Sequence, residues 1–515
     1  MYTNYKKNSI KRGRVKRIMN KDYCNEKIIN IFSAREEDTN RPYIQKKHAI
    51  RGEFERDRDR ILYSKAFRRL SGKTQVFLSG KDDHIRNRMT HTIEVTQIAR
   101  TISKALGINE TLTEAIALGH DLGHTPFGHI GERTLNFIMC GCDEIRDFNG
   151  CLLNKRGFKH NWQGVRVVHE LEKSNNGYGL NLTEYTMWGI LHHSNIKNKK
   201  CKSISGNLCT LRRSGKTCVG AGSCENLDFY SKYNIFLDAK YLTIEALVVA
   251  LADEIAQRHH DVEDALETKI LEFNELHSKI VECYDNGINK SEDKMKQINE
   301  IRDVDDEEIR VGKLSSFIVD LLTFDAITNI YNNLNEFITS KNINDHEEFN
   351  RYKKQEGVYD ELVKKVNLSD DLLSGDKKFQ EYVSKRILNS HKAQSMDGKG
   401  NYVIRELFKA YVTNPQQLPD KTIEKLFENI ESYSKKDLCD EKYEAQFKEL
   451  KEIIKELSTD HTVGAKRNIL QTLHYTDNII YKQILMRTIC DYIAGMTDIY
   501  AMNLHANLYE TGRYV

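Results

Sequence analysis

Residues 118–132 read LGHDLGHTPFGHIGE and place His120, Asp121, His124, His129 and Glu132 around a Pro126-Phe127-Gly128 break. Imidazoles and carboxylates crowded at one chain reversal are suited to metal ligation and to proton transfer. Two further residues extend the set. His91 lies four residues before Val95, on the apolar stripe Val95, Ile98, Ile102 and Ala105 that marks the inward face of a helix. Asp253 falls in TIEALVVALADEIA (243–256), which is apolar nearly all round and reads as a buried central helix. A carboxylate there is costly unless a cation or hydrogen bond compensates it.

His91, His120, Asp121 and Asp253 therefore form a set of two imidazoles and two carboxylates brought from three helices. Nitrogen and oxygen donors without a thiolate suit a divalent ion, Mg²⁺ or Mn²⁺ first, with Fe²⁺, Co²⁺ or Ni²⁺ also compatible. An ion held this way acts as a Lewis acid on a bound oxygen and activates water. After the Pro-Gly break a new helix is expected near His129, which puts Glu132 at i+3 on the same face. A carboxylate beside an imidazole orients it and raises its pKa, so His129 and Glu132 are the expected acid–base pair. His124 either faces the substrate or caps the preceding helix.

The elements that carry these residues are helical throughout. With 4 prolines in 515 residues the chain has few rigid breaks, which favours long helices. Helices are expected over the segment up to Leu70, from Met89 to Gly107, and from Glu110 to about Leu122. Beyond about residue 270 the composition turns to Lys, Glu, Asp and Asn with helical periodicity. The expected fold is all-α: a basic, partly disordered lead (1–48), a catalytic core (49–270) and a helical C-terminal region (271–515), with 465–505 packing back on the core. Within the core, 197–226 breaks the rhythm with Gly, Ser, Lys and four cysteines. Their spacings, C-x7-C-x8-C-x5-C, lack the short knuckles of a zinc site, so the interval reads as an inserted loop.

Composition excludes several classes. No apolar window approaches the ~18 residues of a membrane span, and no apolar run follows the basic N-terminus as in a secretory signal. Eleven cysteines without such a signal suit a reducing compartment, so a cytoplasmic location is expected. A net charge of +3 is too small to imply polyanion binding by itself. The local run KRGRVKR (11–17) motivates one alternative, a protein that binds single-stranded nucleic acid and hydrolyses nucleotides secondarily.

The motifs HTIEV, GHDLGHTPFGHIGE and ALADEIA resemble the HD-domain phosphohydrolases, named for a His…His-Asp…Asp metal site. DRDRILYSKAFRRLSGKTQVF (57–77), GFKHNWQGVRVV (157–168), LNLTEYTMWGIL (180–191) and DYIAGMTDIYA (491–501) resemble one branch, the deoxyguanosinetriphosphate triphosphohydrolases (dGTPases). The resemblance implies metal ligation by His91, His120, Asp121 and Asp253, and catalysis by His129 and Glu132. It further implies that Arg88 grips the α-phosphate and that His160, with Asn161 close by, faces the phosphates. Gln75 would lie near the sugar and base, and Asp261 would accept the 3′-hydroxyl. Gln257 stands where the family has a tyrosine under the sugar, which puts strict deoxyribose selectivity in question. Arg310 and Lys313 are candidates for a further triphosphate contact.

The implied activity is hydrolysis of a dNTP, dGTP preferred, to deoxynucleoside and tripolyphosphate. The ion and Arg88 neutralise the α-phosphate, water attacks phosphorus, and His129 protonates the departing 5′-oxygen. A dNTP activator and a tetrameric or hexameric homo-oligomer are the partners the resemblance suggests, with single-stranded DNA as a further one. An HD phosphohydrolase of another nucleotide class is the enzymatic alternative.

Overall fold

The computed structural model describes residues 30–75, 86–141, 157–173, 179–196, 227–289, 291–434, 441–457 and 462–509. The cysteine-containing interval 197–226 and the basic run 11–17 lie outside the described residues. Among the described residues there is no strand, only an isolated antiparallel bridge between Thr74 and Asn87, and the fold is all-α.

The helices that position the site are α1 (Glu53–Tyr63), α2 (Arg88–Leu106), α3 (Glu110–Gly119), α4 (Gly128–Met139), α5 (His160–Arg166), α6 (Glu184–His192) and α7 (Ile244–Glu267). C-terminal to them, α8 (Glu307–Lys341), α9 (Asp370–Leu388), α10 (His391–Thr413), α11 (Ile479–Ala494) and α12 (Asp498–Tyr509) support the core. Helix α2 starts where the side chain of Asn87 accepts from the Thr90 amide at 3.0 Å, and the Thr90 hydroxyl accepts from the Asn87 amide at 3.2 Å. This reciprocal cap satisfies two of the amides that a helix start leaves unpaired. Gly107 ends the helix in a left-handed conformation, as the sequence predicts.

Two expectations change in detail. The pattern expected to run unbroken to Leu70 is interrupted at Ser64, whose extended backbone and side-chain cap start a separate short helix, Lys65–Arg69. Helix α3 stops at Gly119, so His120 and Asp121 sit on the turn that follows it rather than within it. At the end of the lead, Ile31, Phe32 and Ala34 are buried, and Phe32 meets the Phe349 ring edge-on at 4.8 Å between centroids.

Helix α7 packs against both α2 and α8. One apolar core joins Ile31 to Ala393 and so passes through residue 270 without interruption. A second gathers Phe127, Leu135 and Ile138, the last two from α4, with residues 403–501. The helix carrying His129 and Glu132 thus rests on the C-terminal region.

Buried ion pairs fasten these layers. Arg258 on α7 donates from Nε and Nη2 to the Asp376 carboxylate of α9 at 2.8 and 2.9 Å, and the Tyr284 hydroxyl donates to the same carboxylate at 2.8 Å. Removing one member of a buried pair leaves the other charge uncompensated. Asp376→Ala is therefore expected to destabilise the protein by about 3–5 kcal/mol. The check is the urea unfolding midpoint, and an unchanged midpoint would contradict this account of the α7–α9 contact.

Candidate active site

The three helices deliver the metal-type residues to one place. His91 is buried on α2, His120 and Asp121 are buried after α3, and Asp253 comes from α7 with its side chain 26% exposed. Asp253 was expected fully buried; its partial exposure leaves the cluster reachable from solvent. Ligand atoms of His91, His120 and Asp253 lie within 4.8 Å of one another. His91 Nε2 is 3.1 Å from Asp253 Oδ1, and Asp121 Oδ1 is 3.4 Å from His120 Nε2. His120 Nδ1 is bonded to the Ala117 carbonyl at 2.6 Å, which sets the ring so that its buried Nε2 faces the cluster without a hydrogen-bond partner. A buried, unpaired imidazole nitrogen beside two carboxylates fits a divalent cation.

Arg88 donates to Asp121 Oδ2 at 2.6 Å and is itself 2% exposed. Burial acts to raise the Asp121 carboxyl, yet His120, His124 and Arg88 together hold it well below the usual range. His124 approaches Asp121 Oδ1 with Nε2 at 3.1 Å and stacks on His160 with centroids 3.9 Å apart. Burial, with Arg88 and His160 alongside, pushes His124 well below its ordinary pKa.

The expected pairing of His129 with Glu132 takes a different form. The Glu132 carboxylate is bonded to His160 Nδ1 and to Lys159 Nζ, the latter at 3.1 Å. Burial acts to raise Glu132, but His160, Lys159 and His129 hold it well below the usual range. His129 stands in the first turn of α4 and is exposed, with its ring 5.6 Å from His124 and 6.4 Å from His160. Desolvation, with Arg88 and His160, outweighs the pull of Glu132 and lowers the His129 pKa, the opposite of the raised value expected for the pair; exposure of the ring to water moderates the shift. The i+3 spacing placed Glu132 correctly on α4, but its side chain turns to the start of α5, where His160 and Lys159 converge on it.

The substrate-side residues fall into a chain. Gln75 donates from Nε2 to Gln257 Oε1 at 3.4 Å, and Gln257 Nε2 donates to Asp261 Oδ1 at 2.8 Å. Burial raises the Asp261 carboxyl to about 6, against the pull of Arg258 and Gln257. Gln257 follows Asp253 by one turn of α7, which connects this chain to the metal-type cluster. Asn161, by contrast, donates from Nδ2 to the Leu191 carbonyl and the Ser194 hydroxyl, both at 3.0 Å, and thereby ties α5 to the end of α6. The Arg310 guanidinium lies over the Phe273 ring at 4.4 Å, and no contact links it to the cluster among the described residues.

Close backbone approach makes this packing possible. A Cβ on Gly123 would meet the His160 carbonyl oxygen at 2.0 Å and the Gly164 nitrogen at 2.2 Å, so only glycine lets α5 abut the turn after Asp121. Phe127 and Gly128 both adopt left-handed conformations, φ 60° and 59°. For Phe127 this is a strained conformation that needs outside support. Asp498, the first residue of α12, supplies it by accepting from the Phe127 amide at 2.8 Å and from the Thr74 amide at 2.7 Å. Asp498→Ala would leave two buried amides unpaired and is expected to cost about 2–6 kcal/mol. The accompanying fall in turnover would be seen alongside a lowered melting temperature; a variant that keeps both values would refute this role.

Several contributors were missed in the sequence. Lys73 is buried and bonded to the carbonyls of His124 and, at 2.9 Å, Ala494. Burial and the nearby Arg69 and Arg88 push its amine down to about 7. His193, held by the Ile190 carbonyl at 2.8 Å, sets its ring 5.2 Å from His120 and 5.3 Å from His160. The adjacent pair His192-His193 in GILHHSN was the available signal.

Comparison with known proteins agrees with this geometry. The HD domain model matches residues 88–258, and a phosphohydrolase-associated domain matches 366–441 and 438–507. A deoxyguanosinetriphosphate triphosphohydrolase-like protein of Geobacter sulfurreducens is 30% identical over 89% of this chain and 88% of its own length. One of the same description from Rickettsia canadensis is 33% identical over 77% of this chain and 90% of its own. Another, from Caldanaerobacter subterraneus, is 41% identical over 50% of this chain and 58% of its own. With the HD residues assembled in one cluster and this similarity spanning most of its length, the chain belongs to the HD-domain phosphohydrolases of the deoxyguanosinetriphosphate triphosphohydrolase family.

Proposed function

We propose that the protein hydrolyses deoxynucleoside triphosphates, dGTP foremost, to the deoxynucleoside and tripolyphosphate. The observation that carries this reading is the His91–His120–Asp121–Asp253 cluster, with its unpaired His120 Nε2, set beside Arg88 and a group of three further imidazoles. A divalent ion bound by those four residues supplies Lewis-acid polarisation and lowers the pKa of water.

The chain's own residues do the rest. Arg88 offers a planar pair of donors to the α-phosphate, for which it exchanges its contact with Asp121. Glu132 anchors His160, which stacks on His124, so two imidazoles line the phosphate side in fixed orientation. His129, exposed in the first turn of α4, delivers a proton to the 5′-oxygen as its bond to phosphorus breaks, its lowered pKa making the imidazolium a readier donor. Fixed donors aimed at developing charge provide the larger part of the acceleration. Gln75, Gln257 and Asp261 form the sugar-side wall. Because Gln257 already bonds Gln75 and Asp261, this wall is polar where a tyrosine would be flat and apolar, and a 2′-hydroxyl is tolerated better.

The testing experiment incubates the protein with each dNTP and with GTP, in Mn²⁺ or Mg²⁺, and separates products by ion exchange. Tripolyphosphate with dGTP fastest and GTP detectably turned over is the expected pattern. Activity confined to nucleoside monophosphates would refute the proposal.

A further inference from the structure

We propose that Glu94, His259 and His260 form a second divalent-cation site, separate from the His91–His120–Asp121–Asp253 cluster and suited to a transition-metal ion. One ligand atom from each of the three residues lies within 4.8 Å of the others. Glu94 Oε2, on α2 one turn after His91, is met by His259 Nδ1 at 3.4 Å and by His260 Nε2. Two imidazoles and one carboxylate, with other positions left to water, form a donor set that favours Mn²⁺, Fe²⁺, Co²⁺ or Zn²⁺ over the all-oxygen shell that Mg²⁺ prefers.

The surroundings are arranged as they are behind metal ligands. His259 Nε2 faces Glu263 Oε1 at 3.1 Å, one turn further along α7. That carboxylate is held in turn by Arg86 at 2.6 Å and by the Ser315 hydroxyl of α8 at 2.9 Å. Arg86 also bonds the outer oxygen of Glu94 at 3.2 Å, which leaves Oε2 turned to the imidazoles. A carboxylate behind a ligating imidazole fixes the ring and strengthens it as a donor. His260 Nδ1 is buried without a hydrogen-bond partner, so the ring engages polar groups only through Nε2, at the cluster.

Charge and access are consistent with a cation. Glu94 and Glu263 face the single Arg86 guanidinium and, against the effect of burial, raise the His259 imidazole to about 9, so an ion bound here takes the place of the proton that the ring otherwise carries. The Glu94 and His259 side chains are 32% and 20% exposed, which gives an ion and its waters a way in. The site also bears on the first, because the His260 ring packs edge-on against His91 with centroids 5.1 Å apart.

Equilibrium dialysis of the full chain against Mn²⁺, Co²⁺ or Zn²⁺ alone, with bound metal counted by mass spectrometry, tests this directly. The wild type is expected to bind two equivalents, Asp253→Asn to keep one, and His259→Gln to lose one. Glu263→Gln, which spares the ligands, should weaken the second equivalent by roughly 10–100-fold. Glu94→Gln serves as an independent ligand variant if His259→Gln is recovered misfolded. A single equivalent in the wild type, or two equivalents in both Glu94→Gln and His259→Gln, would overturn the proposal and leave the cluster an ion-pair network. Neither outcome depends on which nucleotide the protein hydrolyses.

Discussion

Asp253→Asn is expected to lower turnover by roughly three to four powers of ten, with a loss of stability that leaves the protein folded. The amide has nearly the shape of the carboxylate, and the Asp253 side chain is 26% exposed, so packing is preserved. What is lost is the negative charge that offsets a divalent cation beside His91 and His120. A metal acting as Lewis acid contributes several kcal/mol at the transition state, and each 1.36 kcal/mol is about tenfold in rate. Burial acts to raise the Asp253 carboxyl, but hydrogen bonding and charge from His91 and charge from His120 hold it well below the ordinary carboxylate range, so it is ionised at any working pH. Turnover and melting temperature measured on the same preparation decide the matter. A variant within tenfold of wild type, at equal metal concentration, would remove Asp253 from the reaction.

The second large effect belongs to Glu132. Glu132→Gln is expected to slow turnover by roughly 10²–10⁴, the scale of acid–base assistance, with metal binding unchanged. The physical route runs through His160, whose Nδ1 the carboxylate holds, and through Lys159. Replacing the carboxylate by an amide removes the charge that stabilises both. If Glu132 works by fixing His160, then Glu132→Gln and His160→Ala should not add, because neighbours in one network couple. Glu132→Gln and His129→Ala, which share no direct hydrogen bond among the described contacts, should come closer to additivity. Full additivity of Glu132→Gln with His160→Ala would reject this route.

These results divide what the sequence made legible from what it left hidden. The metal-type quartet was readable because its residue types are out of place: a histidine on an apolar stripe and an aspartate on an apolar helix each require compensation. The all-α class followed from scarce proline and helical periodicity. The partner of Glu132 was not readable. Spacing says that His129 and Glu132 share a face of α4, but which neighbour claims the carboxylate depends on where α5 begins in space, and Gly123 sets that distance.

Long-range fastening was hidden for the same reason. Thr74 and Phe127 meet Asp498, and Arg166 meets Asp491 at 2.6 Å, across more than 300 residues of chain. The motif DYIAGMTDIYA announced that something returns to the core without saying which groups would meet. The cluster of Glu94, His259 and His260 carried a signal in the adjacent histidines, but it became visible only when α2 was laid against α7.

The central claim is that water attacks the α-phosphorus and the bond to the 5′-oxygen breaks. Hydrolysis of dGTP in ¹⁸O-labelled water, with products separated and weighed by mass spectrometry, tests it most directly. The account predicts one ¹⁸O atom in tripolyphosphate and none in deoxyguanosine. Label in the nucleoside, or orthophosphate or pyrophosphate as the released product, would contradict it.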